Sequence, residues 1–471
     1  FKDMVCYQEE VRDPTRMAEV LNRVILKAKR GSAPAQINVP RDFWTQVVDI
    51  ELPSIIEFER PSGGATAIAE AASLLSNAKF PVILSGAGVV LADAIEDCKK
   101  IAEKLDAPVA CGYQHNDSFP GKHPLAVGPL GYNGSKAAME IISKADVVLA
   151  LGTRLNPFST LPGYGIDYWP KEAKIIQVDI NSDRIGLAKK VSVGICGDAK
   201  LVAQQILDQL SSSAGDVGRE DRKALIHQTK SAWLQTLTSL DHEEDDEGTS
   251  WNKDSRERDP DRMSPRMAWR AIQAGLPEDA IISSDIGNNC AIGNAYPTFE
   301  KGRKYLAPGL FGPCGYGFPS VLGAKIGCPD TPVVGFSGDG AFGISMSEMT
   351  SCNREEWPNI TMVIFRNYQW GAEKRNTILW YDDNFVGTEL DPHLSYAKVA
   401  EGCGLKGVTV HSQDELTEAL KTSCEEQKNG VTTFIEVILN QELGEPFRRD
   451  AMKAPVPVAG IDPNDMRQQQ I

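Results

Sequence analysis

Two apolar strands, each stopped by a polar turn, set the constraint that the rest of the chain must satisfy. Val333, Val334 and Phe336 follow Thr331-Pro332, and the run stops at Ser337-Gly338-Asp339-Gly340. A second run, Ile360 to Phe365, stops at Arg366-Asn367. A helix between them makes a βαβ unit, and a parallel pair brings both strand ends to the carboxyl edge of a sheet, where α/β folds bind ligands. Gly338 and Gly340 carry no Cβ, so the backbone there can approach a phosphate closely. Asp339, Asn367 and a carbonyl just beyond would form an all-oxygen set suited to Mg²⁺ holding a diphosphate. The competing reading is a Gly-Asp-Gly surface turn before an ordinary βαβ unit; the Asn-terminated second strand favours the phosphate site.

At 471 residues the chain exceeds one core, and length suggests about three domains. A net charge of −15 argues against a nucleic-acid partner, and no apolar run is long enough to span a bilayer. The ten cysteines show no C-x-x-C spacing, so most are expected to be reduced, buried thiols of a cytoplasmic protein. The chain opens without Met or signal peptide, on FKDMVCYQEEVRDP, and is expected to be a fragment lacking its N-terminus.

Residues 1–50 hold one helix, begun at Asp13-Pro14, and one strand, Ala35 to Val39, too little to bury a core alone. After a linker, residues 63–210 alternate helix and strand and read as a doubly wound α/β unit. Its Gly86-Ala87-Gly88 turn invites a dinucleotide reading, but the third glycine is replaced by Leu91 and no acid follows at the expected distance. Residues 211–263 read as a polar connector, with His242 to Glu247 as a solvated acidic run. Residues 264–440 form a second α/β unit, opened by Ser264-Pro265 and containing the glycine-dense stretch FGPCGYGFPSVLGAKIG. The tail, 441–471, is expected to wrap the surface.

The order Gly-Asp-Gly, helix, strand, Asn resembles the diphosphate-binding motif of thiamine-diphosphate enzymes, with Arg366-Asn367 in place of the usual Asn-Asn. The strings SSDIGNNCAIGNAYP, GLFGPCGYG, RNYQWGAEKRN, NFVGTEL and NQELGEPFRRDAM narrow this to the sulfoacetaldehyde acetyltransferase subgroup. The resemblance implies consecutive doubly wound parallel-sheet domains of the thiamine-diphosphate-binding fold. It makes 1–50 the remnant of a pyrimidine-binding domain, 63–210 the central domain and 264–440 the diphosphate-binding domain. A homodimer or homotetramer would hold the cofactor at a subunit interface.

The same resemblance implies Mg²⁺ ligands at Asp339, Asn367 and the Gln369 carbonyl. It places Gly338, Gly340 and Ala341 as a backbone N–H cradle, Gly287, Asn288 and Asn289 near the diphosphate, and Phe311, Gly312 and Cys314 near the cofactor rings. The implied reaction converts sulfoacetaldehyde and phosphate into acetyl phosphate and sulfite, in taurine and other organosulfonate breakdown. Two anionic reactants call for cations, and Lys374, Arg375, Arg448 and Arg449 are the candidates; their other reading is an exposed helix end and a surface tail. Cys314 is either a packing thiol or a nucleophile, the former favoured. The glutamate that activates the cofactor in this family is expected upstream, so the 471-residue chain alone is expected to be inactive. The rival readings are an acetolactate-synthase-like carboligase or 2-oxo-acid decarboxylase, and a non-catalytic nucleotide-binding protein.

Overall fold

The computed structural model describes residues 1–54, 59–131, 134–241, 250–309, 311–380 and 384–443. The chain divides into two compact units, Phe1–Pro61 and Ser62–Ile471.

In the first unit, β1 (Tyr7–Glu10) pairs in parallel with β2 (Ala35–Asn38), and the helix Met17–Gly31 buries Val20 and Val24 against Val11. Asp13 caps the turn before that helix by accepting from the Thr15 N–H at 2.9 Å. The sequence reading of one helix and one strand misses β1. Tyr7-Gln8-Glu9-Glu10 is polar and gives no apolar alternation, because the strand is only half-buried on one face.

The second unit holds two six-stranded sheets, both wholly parallel. The first comprises β3 (Pro81–Ser85), β4 (Val109–Cys111), β5 (Ala126–Pro129), β6 (Val147–Leu151), β7 (Lys174–Asp179) and β8 (Val193–Cys196), in the order β5-β4-β3-β6-β7-β8. Its central strands β3 and β6 are buried throughout, as expected of strands covered by helices on both faces. The order reverses between β3 and β6, where a dinucleotide would bind if the glycine turn served one. Instead the turn packs on the neighbouring backbone. Gly88 N–H donates to Gly152 O at 2.8 Å, and a Cβ on Gly86 would sit 2.6 Å from that same oxygen. Close packing explains these glycines, and the nucleotide reading loses its support.

The second sheet comprises β9 (Ile281–Ser284), β10 (Tyr305–Leu306), β11 (Val333–Gly338), β12 (Thr361–Arg366), β13 (Lys406–Val410) and β14 (Thr433–Ile438), in the order β10-β9-β11-β12-β14-β13. Strands β12 and β14 are buried from end to end. Trp269, Leu416 and Leu420 cover one face; Phe318, Phe342 and Met349 cover the other. Gly338 pairs with Phe365, so β11 and β12 end level with one another. The strand order reverses between β9 and β11. Both sheets have the expected doubly wound α/β arrangement.

The stretch read as a polar connector is largely helical where described, with helices Arg219–Asp241 and Ser250–Arg258. Its charge hides what it buries. Arg222 is 1% exposed and donates to the carbonyls of Lys79, Leu105, Asp106, Gly215 and Val217. Trp233 and Leu237 join the same apolar cluster as Trp269. The acidic run His242 to Glu247 lies outside the described residues. The tail starts buried rather than on the surface: Glu442 is fully buried and ion-paired to Arg266, and the tail beyond Leu443 lies outside the described residues. All ten cysteines are free, but only five are buried. Among the described residues, no helix is long and apolar enough to cross a membrane.

Candidate active site

The ends of β9, β11 and β12 surround one cleft on the carboxyl edge of the second sheet, at the point where the strand order reverses. Each strand delivers a different part.

Past β9 the chain turns through Asp285, Ile286 and Gly287. The Asp285 carboxylate is buried and accepts from the N–H groups of Ile286 (2.8 Å), Gly315 (3.1 Å) and Gly317 (2.9 Å), and from Ser337 Oγ at 3.1 Å. One side chain thus ties β9, β11 and the glycine-dense loop together. Burial pushes its carboxyl up from the ordinary value, and these donors oppose the shift. Gly287 has φ 131° and ψ 174°, a conformation essentially restricted to glycine. It opens the short helix Asn288–Gly293, which carries Asn288 and Asn289 into the cleft wall.

Past β11 comes Asp339, 1% exposed. Its Oδ2 accepts from Arg366 Nη1 at 3.0 Å and the Tyr368 N–H at 2.7 Å; its Oδ1 accepts from the Gly340 N–H at 2.9 Å. Burial pushes the carboxyl up to about 6 against the pull of Arg366 and these N–H groups, leaving a carboxylate at neutral pH. The Gly340 N–H, expected to face a phosphate, is therefore engaged by Asp339 itself.

Past β12, Tyr368 adopts φ 61°, a left-handed conformation rare for an aromatic residue. The reversal lets residues 368–370 pair with 388–390: Trp370 N–H donates to Thr388 O at 2.7 Å and Leu390 N–H to Tyr368 O at 2.9 Å. Asn367 and Gln369 are held, buried, in the cleft wall.

Ten of the residues singled out in the sequence meet here: Gly287, Asn288, Asn289, Cys314, Gly338, Asp339, Gly340, Ala341, Asn367 and Gln369. Phe311 and Gly312 do not line the cleft; Phe311 is 92% exposed on the preceding loop. Burial raises the Cys314 thiol, with Asp285 and Glu373 adding to the shift, which favours the packing thiol over an activated nucleophile. Lys374 and Arg375 are not an exposed helix end. Both are buried in the helix Gly371–Trp380. Lys374 is paired with Glu389 and donates to Gln369 Oε1 at 3.2 Å, because a buried ammonium needs such partners. Arg448 and Arg449 lie outside the described residues. The sequence reading missed Asp285, Trp370, Gly371 and Glu373. Asp285 had a signal: an acid directly after the apolar strand Ile281–Ser284.

Comparison with known proteins assigns the two sheets. Residues 68–206 match the thiamine pyrophosphate enzyme central domain, and residues 285–437 match the thiamine pyrophosphate enzyme C-terminal TPP binding domain. The chain is 77% identical to a probable sulfoacetaldehyde acetyltransferase of Rhizobium meliloti, over all of this chain and 80% of that protein. It is 74% identical to the sulfoacetaldehyde acetyltransferase of Roseovarius nubinhibens, over all of this chain and 78% of that protein. The chain belongs to the sulfoacetaldehyde acetyltransferase family. A more distant relative, a probable acetolactate synthase large subunit of Methanococcus aeolicus, is 28% identical over 90% of this chain and 71% of that protein.

For a member of the sulfoacetaldehyde acetyltransferase family, the cleft has features that a diphosphate would use. A Cβ on Gly338 would meet nothing within 4 Å, so neither packing nor backbone conformation accounts for this glycine, whereas Gly287, equally open, is required by its φ of 131°. The Oδ1 atoms of Asn288 and Asn289 are buried without a hydrogen-bond partner, a costly state that a ligand or cation would relieve. Asp339 Oδ1, with a single N–H donor, keeps lone-pair capacity. The residues present fit the group.

Proposed function

We propose that this protein transfers an acetyl group from sulfoacetaldehyde to phosphate, giving acetyl phosphate and sulfite, with thiamine diphosphate and Mg²⁺, in taurine and organosulfonate catabolism. The observation that carries the reading is the convergence of Gly287–Asn289, Gly338–Ala341 and Asn367–Gln369 at one switch-point cleft, in a chain 77% identical to a relative of that name.

Thiamine diphosphate, when bound, supplies a nucleophilic carbanion and an electron sink. The chain's own residues bind and orient it. Asp339, Asn367 and the Gln369 carbonyl would hold Mg²⁺. Gly338, Gly340 and Ala341 would lie along the diphosphate on one side, with Gly287, Asn288 and Asn289 on the other. The Lys374–Gln369 hydrogen bond, anchored by Glu389, fixes the segment that presents the carbonyl. Phe311, Gly312 and Cys314 belong to the loop assigned to the rings. In the overall reaction the aldehyde carbon rises to the acyl level as the adjacent carbon–sulfur bond breaks. That bond's electron pair leaves on sulfite, so no external oxidant is required. Arg375, Arg448 and Arg449 are the cations proposed for the sulfonate and phosphate; Lys374 is committed to Glu389. A cytoplasmic homodimer or homotetramer with the cofactor at a subunit interface completes the proposal.

The test is turnover by the full-length protein with thiamine diphosphate and Mg²⁺. Sulfoacetaldehyde should release sulfite only when phosphate is present, and pyruvate should yield neither acetolactate nor acetaldehyde. Acetolactate formation from pyruvate without sulfite release from sulfoacetaldehyde would instead make it a carboligase.

A further inference from the structure

Where the resembled motif carries Asn-Asn, this chain carries Arg366-Asn367, and the structure shows what the arginine does. Its Nη1 donates to Asp339 Oδ2 at 3.0 Å, with both residues buried. The guanidinium cannot swing away. Its Nη2 donates to Leu394 O at 3.1 Å and to Asp391 O, and its Nε lies 3.7 Å from Glu436 Oε1. Its Cζ lies 4.2 Å from the Tyr368 ring centroid, and Arg262 Cζ lies 4.8 Å from that same centroid. Glu436 is itself fixed, accepting from Ser395 Oγ at 2.6 Å and from the Tyr396 N–H at 3.2 Å.

The cleft is also poor in negative charge for a metal site. Among the described residues, no group of three or more His, Cys, Asp or Glu could hold an ion. Asn367 and the Gln369 carbonyl are neutral donors. Asp285 has all its capacity used by three N–H groups and a hydroxyl, and Glu373 is exposed to water. That leaves Asp339 as the buried carboxylate of the cleft wall, and Arg366, which it shares with Glu436, offsets its charge at contact distance. A dication alone would meet Asp339 with the Arg366 guanidinium in contact behind it and Glu436 on the far side of that guanidinium. A dication carried on a diphosphate brings the missing negative charge with it.

Resting on the thiamine-diphosphate reading of the cleft, we propose that Arg366 is a positioning residue that makes divalent-metal binding conditional on the cofactor's diphosphate. It holds the Asp339 carboxylate through Oδ2, leaving Oδ1 with the Gly340 N–H alone, and suppresses metal capture by the cofactor-free protein.

The test uses Mn²⁺ as the probe, read by loss of the free-ion electron paramagnetic resonance signal, in full-length protein stripped of cofactor. A protein-free control corrects for the metal that thiamine diphosphate binds in solution. Wild type should take up Mn²⁺ only once thiamine diphosphate is added. Arg366→Asn should bind Mn²⁺ without cofactor at least about tenfold more tightly than wild type, because the opposing charge is gone. Arg366→Lys, which keeps the charge, should behave as wild type; a purely structural role would not sort the two variants by charge. Cofactor-free wild type binding Mn²⁺ as tightly as the loaded form overturns the proposal, and this arm needs no variant to fold. So does equal Mn²⁺ affinity in the Asn and Lys variants. Failure of wild type to bind thiamine diphosphate at all, with or without Mn²⁺, would instead bring down the functional reading on which the proposal rests.

Discussion

The indole of Trp370 packs directly on the α-carbon of Gly340: a Cβ at position 340 would lie 2.9 Å from the ring. Gly340 is therefore fixed by its neighbour across the cleft, whereas Gly338 is open. Gly340→Ala should cost about 1–3 kcal/mol through overpacking and displace Trp370 from the cleft wall. Thermal unfolding and thiamine-diphosphate titration of the full-length protein check this. Combining it with Trp370→Ala should recover stability relative to Gly340→Ala alone. A Gly340→Ala variant with wild-type stability and cofactor affinity would contradict the contact.

Asp285 predicts a second, separable effect. Asp285→Ala takes the acceptor from the buried Gly317 N–H and the part-buried Ile286 and Gly315 N–H groups, leaving Ser337 Oγ only Gly338 O at 3.2 Å, which should cost about 2–3 kcal/mol. The loop carrying Cys314 should loosen first, because Gly315 and Gly317 lose their anchor. Hydrogen exchange over 311–317 should rise in the variant while β12 stays protected. Unchanged exchange there would show that the carboxylate is not the anchor.

Arg222 tests the helical stretch that charge concealed. Arg222→Met keeps most of the volume but removes a donor from five carbonyls, of which Gly215 O keeps Arg219 Nε at 3.4 Å, so a loss of about 3 kcal/mol or more is expected in denaturant unfolding. A loss under about 0.5 kcal/mol would mean those carbonyls find other partners.

His115 sets a pH dependence. Burial, with the Arg154 charge adding to it, holds its folded value down at about 4, against roughly 6.5 when unfolded. As pH falls below about 6.5 the unfolded chain takes up a proton that the folded chain refuses until about pH 4. Stability should therefore decline across that window, and His115→Gln should flatten the decline. Melting temperatures at pH 7.5, 5.5 and 4.5 measure it; parallel curves for the two proteins would rule out His115 as the source.

What could be read in the sequence was what repeats with a period or punctuates a strand. The buried strands Val333–Gly338 and Thr361–Arg366 are continuous apolar runs with polar stops, so both the sheet and the cleft they end in were legible. The strands Tyr7–Glu10, Ala126–Pro129 and Val193–Cys196 were not, because they are short and polar, glycine-containing or exposed on one face. The helix Arg219–Asp241 was hidden because it anchors itself with a buried guanidinium as well as with an apolar stripe. Lys374 was misplaced for a related reason. A lysine early in a helix reads as exposed until its partner Glu389, fifteen residues on, is seen to face it. Side-chain pairs across loops leave no local pattern.

The cleft between Gly338 and Gly371 is the proposed seat of the diphosphate and its metal. Calorimetric titration of thiamine diphosphate with Mg²⁺ into full-length wild type and Asp339→Asn tests it most directly. Wild type should bind one cofactor per chain, and Asp339→Asn, folded but less stable because Arg366 loses its buried partner, should bind at least about a hundredfold more weakly, the loss of one charged metal ligand. Equal affinity in the two proteins would place the cofactor somewhere other than this cleft.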